Sequence, residues 1–200
     1  MHKEIIAKPL KPELLKLDGI STKQITEHYE ILYKGYVKTT NEIRRKLSQV
    51  SRENQNPRYT EFRELKVEET FNLNGVVLHE LYFNNLGGDG GPPIGKIRNA
   101  IIHNFGSIEK WEEDFKAAAA SSRGWVVLAY DFRDKRLHNF LLDAHNVGVI
   151  QSSAPVLIID VYEHAYFIDY GAKRAPYIDA FMKNIDWGVV NHRFETPWRE

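Results

Sequence analysis

Two hundred residues suffice for one large domain or two small ones, each able to bury a core. Hydrophobic residues make up 42% and charged residues 27%, with 27 cations balanced by 27 carboxylates, so bulk charge points to no nucleic-acid or membrane-surface partner. The absence of cysteine excludes disulfides, thiolate metal sites and thiol nucleophiles. The opening stretch MHKEIIAKPLKPELLKL has no continuous apolar run of the signal-peptide kind, and no window approaches the ~20 apolar residues that span a bilayer. A cytoplasmic chain without a membrane partner is therefore expected.

The first predicted helix covers 21–47. Ser21 and Gln24 form a capping-box pair, and Ile25, His28, Tyr29, Leu32, Tyr36, Ile43 and Leu47 recur at helical spacing. A second helix is predicted over 65–86. Gly75 in its middle costs about 1 kcal/mol relative to alanine, which suggests a close approach to the backbone there. The stretch GGDGGPP, 87–93, cannot continue a helix and reads as a linker, dividing the chain into 1–88 and 89–200. A phosphate-cradling role is weak, because the loop lacks the GK[ST] ending of a P-loop.

Beyond the linker, 94–105 and 107–122 read as helices. GWVVLAYDF (124–132) and LHNFLLDAHN (137–146) read as strands joined by the polar turn RDKR. PVLIID (155–160) is a buried strand, and the segment from His164 to Asn184 reads as one helix. The architecture is α+β: an N-terminal helical hairpin followed by a small C-terminal α/β domain.

His28 and His79 fall on the apolar stripes of their helices, and His164 follows the buried strand that ends in Asp160. A lone histidine on an apolar face is most often a satisfied core residue, and spacing alone leaves that reading open. Together, however, three buried imidazoles and one carboxylate suit iron, manganese or zinc, and the cation would neutralise the aspartate.

The segment DVYEHAYFIDY matches a DVWEHAYYxDY signature. EHYEILYKGYV, NGVVLHELYFNNL, FGSIEKWEEDF, RGWVVL and YIDAFMKNIDW match further motifs in the same order. On these residues the chain resembles the iron/manganese superoxide dismutase family over roughly 8–190. The resemblance implies a helical hairpin followed by an α/β domain with a three-stranded antiparallel sheet. It implies His28, His79, Asp160 and His164 as ligands of one Fe or Mn ion per subunit, superoxide as substrate, and a homodimer or homotetramer. Tyr36 matches a tyrosine at the substrate gateway, Trp125 an aromatic wall beside the metal, and Arg174 a basic residue of the access funnel. Glu163 matches a carboxylate that reaches across the dimer to the partner's His164.

The chain departs from the family at several positions. Where a glutamine usually orients the solvent on the metal, the helix offers Gly75 and the sheet His145, which is expected to replace it. Leu32 and Tyr33 stand where many members carry paired histidines, Phe167 replaces a tyrosine, and Tyr162 replaces a tryptophan near the metal. These changes leave two rivals in play: a non-catalytic relative that keeps the fold, and a different metalloenzyme such as a dioxygen-using oxidase.

Overall fold

The computed structural model describes residues 3–196, so Met1 and His2 of the opening stretch, and the last four residues of the 89–200 segment, lie outside the described residues. Ser21 caps the first helix by accepting the Gln24 N–H at 3.1 Å. The other half of the predicted capping box does not form. The buried Gln24 side chain instead donates to the His164 carbonyl (2.6 Å) and accepts from the Ile168 N–H (3.1 Å), tying the first helix to a segment 140 residues away.

The predicted helix 21–47 is continuous but changes pitch: α1 (Thr22–Glu27), a π-helical stretch (His28–Tyr33), then α2 (Lys34–Leu47). Wide turns of this kind re-phase a helix and occur mostly at functional sites. Here the wide turn starts at His28 and buries His28, Tyr29 and Tyr33. α3 (Glu61–Asn84) starts earlier than predicted because Thr60 caps it, accepting the Arg63 N–H. A Cβ at Gly75 would lie 2.9 Å from the Tyr36 ring, so the glycine lets α2 and α3 close on each other.

After α4 (Gly95–Phe105) and α5 (Ile108–Ser121) come β1 (Trp125–Asp131), β2 (Arg136–Leu142) and β3 (Ser153–Asp160). They form a three-stranded antiparallel sheet in the order β2-β1-β3, with Trp125 facing Leu142 on one side and Asp160 on the other. The second strand ends at Leu142, short of the predicted 146. Ser122 Oγ donates to the Leu142 carbonyl, and the chain folds back at Gly148 (φ +98°), where a Cβ would meet the Leu141 carbonyl at 2.6 Å. His145 therefore lies on a turn rather than in the sheet.

The predicted helix 164–184 is broken. A short 3-10 turn (Glu163–Ala165) leads into α6 (Phe167–Tyr170), and α7 (Arg174–Lys183) follows only after Gly171, whose φ of +56° is non-helical. α8 (Trp187–Glu195), capped by Asp186, was not separated by sequence pattern. Trp111, Phe115, Trp125, Tyr82, Tyr177 and Phe181 fill the core between helices and sheet. No helix among the described residues is long and apolar enough to cross a membrane.

The glycines of 87–93 pack against the turn between α7 and α8. The N–H groups of Gly87 and Gly88 donate to the Asn184 carbonyl, and Gly90 N–H donates to that of Ile185. A Cβ at Gly90 (φ +61°) would lie 2.5 Å from the Lys183 carbonyl oxygen, whereas one at Gly91 (φ +71°) would meet nothing within 4 Å. Gly90→Ala is expected to cost about 1–3 kcal/mol through this overlap, beyond the left-handed strain that it shares with Gly91→Ala. Chemical denaturation of both variants checks this; equal losses would contradict the close crossing.

Candidate metal centre

Four separate pieces of chain meet at one point. His28 opens the π-helical stretch, His79 lies in the second turn from the end of α3, Asp160 ends β3, and His164 sits in the 3-10 turn that follows. The Nε2 atoms of His28 and His164 each lie 3.1 Å from Asp160 Oδ2, and His79 Nε2 lies 3.6 Å from it. One donor atom from each residue lies within 4.8 Å of every other. His28, His79 and Asp160 are buried, and His164 is partly so.

His79 and Asp160 are fixed through their other polar atoms, whereas His28 Nδ1 is buried without a hydrogen-bond partner. The buried His79 Nδ1 is 2.6 Å from the Gly75 carbonyl, to which it must donate, leaving a lone pair on Nε2. That nitrogen is buried without a hydrogen-bond partner and faces a carboxylate oxygen. A lone pair opposite an anion is unfavourable unless a cation lies between them. Asp160 Oδ1 accepts the Tyr162 N–H, and the Asp160 carbonyl accepts the Tyr177 hydroxyl at 2.7 Å, so the carboxylate is held from behind. The His28 ring is fixed by packing against His79, Tyr82 and Phe83, at centroid distances of 5.0–5.3 Å.

Electrostatics agree with this arrangement. Burial acts to raise the Asp160 pKa, but His164 and His28 together outweigh it and hold the group well below the usual carboxylate range. Burial lowers the pKa of His28, and burial with repulsion from His28 lowers that of His79 further, so both rings are neutral. Burial acts to lower that of His164 too, yet its contact with Asp160 raises it. One carboxylate thus faces two neutral imidazoles and a third that competes for a proton. Borderline nitrogen donors with one hard oxygen and no thiolate fit iron or manganese.

An aromatic layer surrounds the cluster. The Trp125 indole N–H donates to His145 Nδ1 at 2.9 Å, so the neutral His145 ring carries its proton on Nε2. Burial lowers the pKa of His145 to about 4. Its ring meets Tyr36 edge-on at 4.8 Å, and Tyr36 lies 5.2 Å from the His79 ring. Burial, then the Asp160 charge, raises the Tyr36 hydroxyl to about 12. Tyr162 stacks on His164 (5.2 Å, 13° between planes) and lies 5.3 Å from His145.

Arg174 stands further out, its guanidinium on the Ala119, Ala120 and Ser122 carbonyls and its Nε 3.4 Å from the Tyr166 hydroxyl. Glu163 is exposed and, among the described residues, its carboxylate makes no hydrogen bond or ion pair, while its carbonyl accepts the Tyr166 N–H. Two supports escaped the sequence reading: Gln24, taken for a local cap, and Tyr177, whose motif YIDAFMKN carried no hint of a bond to Asp160.

A hairpin and an α/β unit closing around three histidines and an aspartate define a mononuclear metalloprotein. Family models for the iron/manganese superoxide dismutases match residues 14–87 (alpha-hairpin domain) and 93–193 (C-terminal domain). A superoxide dismutase [Fe] of Aquifex aeolicus is 49% identical over 194 residues, covering 95% of this chain and 90% of the relative. The superoxide dismutase [Fe] of Cupriavidus metallidurans is 43% identical, covering 96% and 98%. A superoxide dismutase [Mn] of Halobacterium salinarum is 36% identical, covering 88% and 87%. The chain belongs to the iron/manganese superoxide dismutase family.

Replacing Trp125 by phenylalanine removes the donor to His145. The loss of this buried hydrogen bond is expected to cost about 1–3 kcal/mol and to let the His145 proton spread over both ring nitrogens. Nitrogen NMR of the metal-free protein reads the tautomer; an unchanged Nε2–H form would contradict the assignment.

Proposed function

We propose that the protein is a superoxide dismutase that converts superoxide to dioxygen and hydrogen peroxide with one iron or manganese ion. The observation that carries this reading is the convergence of three imidazole Nε2 atoms on Asp160 Oδ2, with the His79 lone pair unsatisfied. In this proposal His28, His79 and His164 supply neutral nitrogens and Asp160 supplies one negative charge. Such a set balances only part of a di- or trivalent charge and leaves room for one small ligand. An iron or manganese ion held by these four side chains would supply one-electron chemistry between its +3 and +2 states, by which one superoxide would be oxidised and another reduced.

The second superoxide needs two protons to leave as peroxide, and the surrounding side chains are suited to handle them. Tyr36 keeps its hydroxyl proton at neutral pH, and His145 presents Nε2–H because Trp125 occupies its other nitrogen. His145 thus takes the place of the family's glutamine as the donor beside the metal pocket. Trp125 and Tyr162 wall the site with aromatic surface, which limits water and strengthens these polar contacts. Arg174 is assigned to the access route as a fixed cation.

The oligomer belongs to the same proposal. Glu163 is exposed beside the partly buried His164, and Phe167 and Ile168 are 53% and 40% exposed in the next turn. A carboxylate flanked by exposed apolar side chains suits a homodimer in which Glu163 accepts from the second ring nitrogen of the partner's His164; a homotetramer would pair two such dimers. The division at 88/89 is supported by the family models, which stop at 87 and resume at 93. A cytoplasmic location fits the cysteine-free composition.

Metal analysis and superoxide consumption test the assignment. Asp160→Ala is expected to lose most bound Fe or Mn and nearly all activity, because three imidazoles alone balance no charge. Full metal content with unchanged turnover would remove Asp160 from the ligand set. Glu163→Ala is expected to loosen the dimer and metal retention together, since one hydrogen bond serves both. Sedimentation alongside metal content reads this; a normal dimer with normal metal would contradict the bridge.

A further inference from the structure

A groove of about 1190 Å³ lies between residues 3–7, α2 and the start of α3, and none of its lining residues belongs to the histidine cluster or its aromatic surround. α2 contributes Lys34, Lys38, Arg44 and Arg45 to the lining. Lys3, Lys66 and, from beyond the end of α2, Arg52 complete a set of seven cations, against only Glu4 and Glu42. The whole chain has a net charge of zero, so this is a local segregation of charge and does not follow from composition.

The groove is built from fixed parts. Asn41 clamps the N-terminal segment to α2: its Oδ1 accepts the Ile5 N–H at 3.0 Å and its amide donates to the Ile5 carbonyl at 2.9 Å. Arg52 donates to the Leu47 and Val50 carbonyls at 2.6 Å each and lies over the Phe62 ring. Lys34, Lys38 and Arg45, with Asn41 between them, follow helical spacing along one face of α2, a line of cations roughly 17 Å long at 1.5 Å rise per residue.

Several of these cations lack full compensation. Among the described residues, Lys3 and Arg45 have no ion-pair partner, and the buried Arg44 Nε has a 3.5 Å contact with Glu69 but no hydrogen bond. Lys34 and Lys38 pair with Glu30 and Glu42, and Lys66 with Glu69. The Lys34–Glu30 and Lys38–Glu42 pairs are solvent-exposed on both sides, and pairs of that kind contribute little and yield to a multivalent anion.

We propose that this groove binds a linear polyanion of phosphate groups, an inorganic polyphosphate chain. Cations spaced along a line select a chain of charges over a single anion, because each further phosphate engages another cation and releases more counterions. Single-stranded nucleic acid has the same backbone charge but also needs aromatic faces on which its bases stack. The groove has one aromatic side chain, Phe62, and Arg52 covers it.

The test uses the metal-loaded full-length protein, titrated with medium-chain polyphosphate, inorganic phosphate and a mixed-sequence single-stranded oligodeoxynucleotide at low and moderate salt. Polyphosphate is expected to bind saturably, to weaken steeply with salt, and to bind more tightly than either comparison ligand. The double variant Lys38→Glu/Arg45→Glu should weaken polyphosphate binding by about tenfold or more, with superoxide consumption and thermal unfolding unchanged. Lys110→Glu, a charge reversal outside the groove, should leave binding as it is. The proposal is overturned by absent polyphosphate binding at low salt, by unaltered binding in the double variant, by a Lys110→Glu loss as large as the double variant's, or by an oligonucleotide or inorganic phosphate that binds as tightly as the polymer.

Discussion

The structure depends on keeping one carboxylate ionised away from bulk solvent. Asp160 is fully buried at the end of the most deeply buried strand, where an unpaired charge would cost several kcal/mol. Three imidazoles gather on its Oδ2, the Tyr162 N–H holds Oδ1, and the Tyr177 hydroxyl holds the backbone carbonyl behind it. The histidines come from the hairpin and from the turn after β3, so one charge draws together parts of the chain 132 residues apart. Removing a partner from such a group costs far more than the pair contributes when intact, which makes the site and the packing around it interdependent.

Close backbone approach is the second condition. Gly75 lets Tyr36 lie against α3, and the same Gly75 carbonyl accepts the His79 Nδ1 proton. One residue without a side chain thereby positions a candidate ligand and a candidate proton donor. Gly88 and Gly90 perform a related task, allowing residues 87–90 to lie on the Lys183–Asp186 backbone. The glycines that look like a flexible joint hold the hairpin against the α/β part.

The departures from the family pattern form coherent sets. Gly75 carries no side chain toward the cluster, while the His145 ring lies edge-on to Tyr36 and Trp125 sets its tautomer. Tyr33, in place of a histidine, accepts the Lys8 N–H and donates to Glu80, so its hydroxyl is satisfied within the chain. Tyr162 keeps an aromatic face on His164 in place of the larger indole. Tyr33 and His145 thus each have a hydrogen-bond partner within the chain.

Much of this was legible in the sequence for definite reasons. Helical spacing marked the hairpin, an unbroken apolar run marked β3, and a glycine in mid-helix signalled a close approach to the backbone, which the structure shows to be that of Tyr36. These are local consequences of backbone geometry and burial, and they need no knowledge of the partner surface. Their chemistry marked three histidines and Asp160 as a suitable metal set, but spacing alone left the core reading of the histidines open, and the resemblance assigned all four as ligands. Other features were settled only by tertiary contacts. Gln24 looked like half of a capping box, but the open carbonyl of His164 was the better acceptor for a buried amide. The helix predicted over 164–184 broke at Gly171, because that glycine's left-handed backbone lets the chain change direction between α6 and α7. The strand carrying His145 ended early because Ser122 claimed the Leu142 carbonyl and the chain turned back at Gly148. Sequence determines which segments are apolar and which backbones are permissive; which buried donor meets which acceptor is decided only when distant segments compete for the same partner.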